Sequence, residues 1–70
     1  MWTKGNVNGY QFCIKHFEEG SEFGIEGGRI SKLTITKDGK TAANYDRGWD
    51  IKPADDEAKE AYKAIIKKYN

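Results

Sequence analysis

Apolar and polar residues alternate over the first seventeen positions, with a break at Asn8-Gly9. That dipeptide suits a type I′ turn, whose two central residues both need positive φ. The period-two pattern on either side therefore predicts an N-terminal hairpin over residues 1–17. A two-residue turn pairs Val7 with Tyr10, Gly5 with Phe12 and Thr3 with Ile14 on one face, and Lys4 with Cys13 and Trp2 with Lys15 on the other. The apolar face is Val7, Tyr10, Phe12 and Ile14, ending at His16. A Cβ is missing at Gly5, so the Phe12 ring can lie over the neighbouring backbone.

Residues 18–28 break the pattern with four glycines around Phe23 and Ile25, and are read as a structured glycine-rich loop with room for a short edge strand. A second hairpin is expected over 29–46, starting with the β-branched run Ile30 to Thr36. Its turn at Lys37-Asp38-Gly39-Lys40 allows two registers. A two-residue turn sets Ile35 against Ala42 and Leu33 against Asn44. A three-residue turn with a bulge at Gly39 sets Leu33 against Ala43, with Ile35 and Tyr45 on the same face, and buries more apolar area. The second is preferred, and it brings Arg29 directly opposite Arg47, an arrangement that is destabilising unless an anion lies between them. From 54 to 69 the period changes: Ala58, Ala61, Tyr62, Ile65, Ile66 and Tyr69 fall on one helical face. Asp55, Asp56 and Glu57 open this helix and Lys63, Lys67 and Lys68 close it, in accord with the helix dipole. Pro53 and Asp55 are both candidates for its entry.

These elements predict an α+β fold: an antiparallel three- to four-stranded sheet of hairpins, with one C-terminal helix packed on one face. Seventy residues make one domain, 1–70, and bury only about 60 % of the unfolded surface. Two Trp, four Tyr and three Phe supply the packing that so small a core needs. Net charge is +1, with acids and lysines interspersed, which argues against a nucleic-acid binder that works by neutralising phosphates. No apolar run is long enough to span a membrane and no signal peptide is visible, so a soluble cytoplasmic protein is expected. The start at Met1 reads as the beginning of a complete natural chain. Cys13 stands alone, which rules out an intrachain disulfide and suits a reducing compartment.

Chemistry-bearing residues are few. Cys13 and His16 lie three apart on a strand and point to opposite faces, so they make no nucleophile–base pair, and two ligands are too few for a structural zinc site. His16 reads as a hydrogen-bonded residue at the edge of the core. The adjacent carboxylates lack the facing geometry of acid–base work. Gly24 to Arg29 lacks the Gly-Lys-Ser/Thr ending and following helix of a phosphate loop. No enzyme, cofactor or metal is expected. The two arginines, Arg29 and Arg47, are the distinctive residues, because a guanidinium fork suits a phosphate, a carboxylate or an aromatic ring. The candidate binding set is Arg29 and Arg47 with Trp49, Tyr45, Gly27 and Gly28. The alternative for Asp46 to Asp50 is an internal salt bridge under a Trp lid that closes the sheet–helix junction.

Ser21-Glu22-Phe23-Gly24-Ile25, Gly28 to Leu33 and Asn44 to Asp50 together resemble a small uncharacterised protein family of Firmicutes and their phages. That resemblance implies an intracellular bacterial or phage accessory protein and assigns no activity. The expected function is a non-enzymatic binding or inhibitory protein acting on a protein partner. Two alternatives stand beside it: a module that sequesters a nucleotide or other small anion through Arg29 and Arg47, and a self-associating homodimer.

Overall fold

The computed structural model describes residues 1–70. Strands β1 (Trp2–Val7), β2 (Tyr10–His16), β3 (Ile30–Lys37), β4 (Lys40–Asp46) and β5 (Trp49–Ile51) form one antiparallel sheet in sequential order, followed by helix α1 (Asp56–Tyr69). The first hairpin has the expected two-residue turn, with φ 50 at Asn8 and 82 at Gly9, and pairs Val7 with Tyr10 through to Trp2 with Lys15.

The sheet has five strands where three or four were expected. Asp46 donates its N–H to the Gly48 carbonyl at 2.9 Å, and Arg47 takes φ 61, so the chain reverses at once and Trp49–Ile51 returns beside β4. Three residues are too few for any periodicity to declare a strand. The second hairpin also differs from the preferred register. Asp38 and Gly39 form a two-residue turn with φ 52 and 77, and the extra residue sits later, at Ala42. Leu33 therefore pairs with Tyr45 and Ile35 with Ala43. Arg29 does not face Arg47; the Arg47 N–H instead reaches the Ser31 carbonyl at 3.0 Å. The like-charge clash that the other register implied is thereby absent.

A bulge between β2 and β3 at Ser31 has its own purpose. Ile30 and Leu33 are three apart and could not share a face of a regular strand, yet both are fully buried. They join Tyr10, Phe12, Ile14, Ile35, Ala43 and Tyr45 on the face that α1 covers with Ala58, Ala61 and Ile65. Asp55 is the helix N-cap: its carboxylate accepts the Ala58 N–H at 2.7 Å. Ile25 completes the core from the glycine-rich loop, where no strand forms; the loop is held by its own backbone bonds, among them Ser21 N–H to the Gly28 carbonyl at 3.1 Å.

Asn70 locks that loop to the sheet. Its Oδ1 accepts the Ile30 N–H and its Nδ2 donates to the Ile25 carbonyl, each at 3.0 Å. Both backbone groups belong to fully buried residues; Asn70→Ala leaves the Ile30 N–H without its partner and the Ile25 carbonyl with the Gly28 N–H alone, and is expected to cost about 2 kcal/mol. That corresponds to roughly a 10 °C lower melting temperature by circular dichroism for a domain of this size. An unchanged melt would show that the loop is held without Asn70.

Candidate functional site

The structure distributes the sequence-predicted residues over three places. Arg47 is exposed, and its guanidinium carbon lies 4.7 Å from the centre of the Phe23 ring, a stacked pair at the surface of the glycine-rich loop. Arg29 lines a separate shallow hollow with Met1, His16, Phe17 and Glu18. Trp49 is half-buried and packs edge-on against Tyr45 at 5.1 Å and Tyr62 at 5.4 Å, bridging β5 and α1. Tyr45 is buried and donates its hydroxyl to the Phe23 carbonyl at 2.8 Å. Gly27 takes φ 72 in the loop turn, and Gly28 lies against the Asn70 amide. Trp49 thus has the position of a lid on the sheet–helix junction, although Asp46 pairs with Lys32 at 3.8 Å rather than with Arg47. Burial, then the charges of Glu26 and Tyr45, pushes the Tyr62 hydroxyl of this junction up to about 12.

Cys13 and His16 lie on opposite faces. His16 shares a 2.8 Å hydrogen bond between Nε2 and the Thr3 hydroxyl and packs on Tyr69 at 5.5 Å between ring centres. Burial, the N-terminal ammonium and Arg29 all hold its imidazole below the ordinary histidine value, so neutrality is favoured. No cluster of three or more His, Cys, Asp or Glu residues capable of holding a metal is present.

The face of the sheet away from α1 is a different matter. It carries Trp2, Lys4 and Asn6 from β1, Gln11, Cys13 and Lys15 from β2, and Lys32, Thr34 and Thr36 from β3. These are the side chains that alternation sets opposite the buried set. Trp2 is 56 % exposed and Phe17, just beyond β2, is 48 % exposed. The Lys15 ammonium lies between them, 5.9 Å from the Trp2 ring and 5.6 Å from the Phe17 ring. Beside them a depression of about 520 Å³ is lined by Lys4, Asn6, Gln11, Cys13, Thr34 and Thr36. Farther across, Thr34 donates to Asn44 Oδ1 and Asn44 Nδ2 donates to Asp50, each at 3.3 Å.

A domain of unknown function, DUF7678, matches residues 1–70. The chain belongs to the DUF7678 family. No curated protein and no solved structure matches it.

In this DUF7678 chain the arrangement can stack planar groups on Trp2 and Phe17, offer hydrogen bonds from amides and hydroxyls, and place cations beside both. Sequence reasoning set Trp2 and Lys15 on the polar face but did not single them out as a site. The available signal was an aromatic on the polar side of an amphipathic hairpin, where burial gives it no purpose. No helix is long and apolar enough to cross a membrane.

Proposed function

We propose that this chain is a non-enzymatic binding module that holds its partner on the open face of its sheet. The observation that carries the reading is the pair of large aromatics, Trp2 and Phe17, left exposed on either side of Lys15 where no element of the chain covers them. Aromatics contribute most to stability when buried, so an exposed pair on an otherwise polar face is better explained by recognition than by folding. In the bacterial or phage setting that the resemblance implies, such a module would act as an accessory factor. A second reading places a protein partner on the Arg47–Phe23 stack, since arginine and aromatic residues dominate protein hot spots. The nucleotide-sequestering alternative loses its paired cations, because Arg29 and Arg47 turn to different neighbours.

The double variant Trp2→Ala/Phe17→Ala tests this reading against the others. It is expected to change folding stability by less than about 1 kcal/mol, the scale of exposed cation–π contacts. It should also lose whatever mass native mass spectrometry finds retained by the wild-type protein from expressing cells. Retention that survives this variant but fails in Arg47→Ala would move the surface to the glycine-rich loop. A loss of stability of about 3 kcal/mol, as for a buried aromatic, would make the two rings structural and defeat the proposal.

A further inference from the structure

We infer that the ligand of the open face is a single-stranded nucleic acid; this rests on the reading of that face as the recognition surface. The near-zero net charge of the whole chain conceals an uneven distribution. Lys4 and Lys15 are in none of the three ion pairs, and no carboxylate lies on the β1 and β2 part of the face. The acids of the face, Asp46 and Asp50, sit farther across it, the first against Lys32 and the second against Asn44. A ligand on β1 and β2 therefore meets two cations outside any ion pair, Lys15 resting between two exposed rings, and a row of uncharged hydrogen-bonding side chains; beyond Phe17 lies the hollow that this ring shares with Arg29 and Glu18.

That combination matches one polymer better than others. Single-stranded nucleic acids are held by aromatic platforms that stack on bases and by lysines that follow the backbone. Trp2 pairs with Lys15, and Phe17 lies two residues beyond it, so the two rings stand on either side of one lysine, 5.9 and 5.6 Å from its ammonium. Two exposed rings with a cation between them can each take one base of a splayed single strand, whereas a duplex keeps its bases paired and stacked out of reach. Asn6, Gln11, Thr34 and Thr36 line the adjoining depression with donors and acceptors suited to base edges and sugars.

A protein partner fits less well, because the cores of protein interfaces are depleted in lysine. A second copy joined edge to edge also fits less well. The His16 and Met1 backbones bond to each other in both directions, so alternate residues Trp2, Lys4 and Asn6 turn their backbone groups to the free edge. An antiparallel pairing of two such edges centred on Lys4 would set Lys4 against its own copy.

The test is fluorescence anisotropy of the intact protein with fluorescein-labelled oligo(dT) and oligo(rU) of about 15 nucleotides, a length that covers the site sizes common among single-strand-binding domains. Binding is expected, weaker for a duplex of equal length, with quenching of Trp2. Trp2→Ala and Phe17→Ala should each weaken it about tenfold or more. Trp2→Phe, which keeps a ring, should retain most of the affinity. Lys4→Gln and Lys15→Gln should each lower the slope of log affinity against log salt by about 0.7. Arg47→Lys should leave binding unchanged.

Absence of binding to either oligonucleotide would overturn the inference. If retention of a native mass still depends on Trp2 and Phe17, the recognition surface then stands and only the ligand class fails. Equal affinity for duplex, or binding that ignores both aromatic variants, would also overturn it. So would a concentration-dependent dimer in sedimentation that Trp2→Ala/Phe17→Ala abolishes, which would assign the face to a second copy.

Discussion

Leu33→Ala is expected to leave the protein largely unfolded at ambient temperature. Leu33 is fully buried at the centre of β3, with Ile14 opposite on β2 and Tyr45 opposite on β4. Its side chain faces the layer formed by Ala58, Ala61 and Ile65 of α1, two of which are too small to move in and fill a gap. Truncating a leucine in such a place removes its transfer energy and leaves a cavity, at a cost of about 4 kcal/mol. A single core of this size supplies no more than roughly 3–5 kcal/mol in total. The magnitude therefore decides the outcome: the loss equals or exceeds the reserve. Far-UV circular dichroism and a urea titration provide the check. Thr34→Ala, the next residue but on the open face, is the control and should cost less than about 1 kcal/mol. A Leu33→Ala protein that still unfolds cooperatively, with most of its stability intact, would place the core elsewhere.

The contrast between these neighbours also explains what was legible in the sequence. In the first hairpin Asn8-Gly9 fixes a two-residue turn, and a period-two pattern leaves only one register that gathers Val7, Tyr10, Phe12 and Ile14 on one face. Every pair there was readable. In the second hairpin the apolar face was readable and the partners were not. Thr41-Ala42-Ala43-Asn44 contains two equal small residues, so nothing local says that Ala42 is the bulge. The result is a slip of two positions, which keeps Leu33, Ile35, Ala43 and Tyr45 together but moves Arg47 away from Arg29. A two-residue slip preserves parity, so core assignments survive it while cross-strand partners do not. The paired-arginine site depended on partners. The Trp2, Lys4 and Lys15 face depended only on parity and on the first hairpin, and the sequence alone displays it. Asn70 could not have been found that way, because its two bonds join positions 40 and 45 residues distant.

Gly24→Ala is expected to cost about 3 kcal/mol, at the upper end for overpacking a filled site. The reason is space rather than conformation. Gly24 has φ −74 and ψ 158, extended backbone open to any residue. A Cβ there would overlap the carbonyl oxygen of Gly28, and would come within 2.9 Å of its carbon and 3.3 Å of the Ile30 oxygen. All of these are backbone atoms, so relief requires moving a strand or the loop turn. The loop cannot yield alone, since Gly24 accepts the Gly27 N–H at 3.0 Å and Gly28 donates to Ile25 at 2.8 Å. Displacing them withdraws Ile25 from the core and opens the Asn70 clamp. Gly9→Ala separates the two mechanisms: its φ of 82 is strained for alanine, but a Cβ meets nothing within 4 Å, so its cost should stay near 1 kcal/mol. Urea denaturation gives both values, and hydrogen exchange should show protection lost at Gly28 and Ile30 in Gly24→Ala alone. Because Trp2, Lys15 and Phe17 lie on the other face of the sheet, the folded fraction of Gly24→Ala should keep whatever affinity that face has in the wild type. A cost below about 1 kcal/mol would mean that the loop is loose enough to admit a methyl group, against the close approach on which its packing depends.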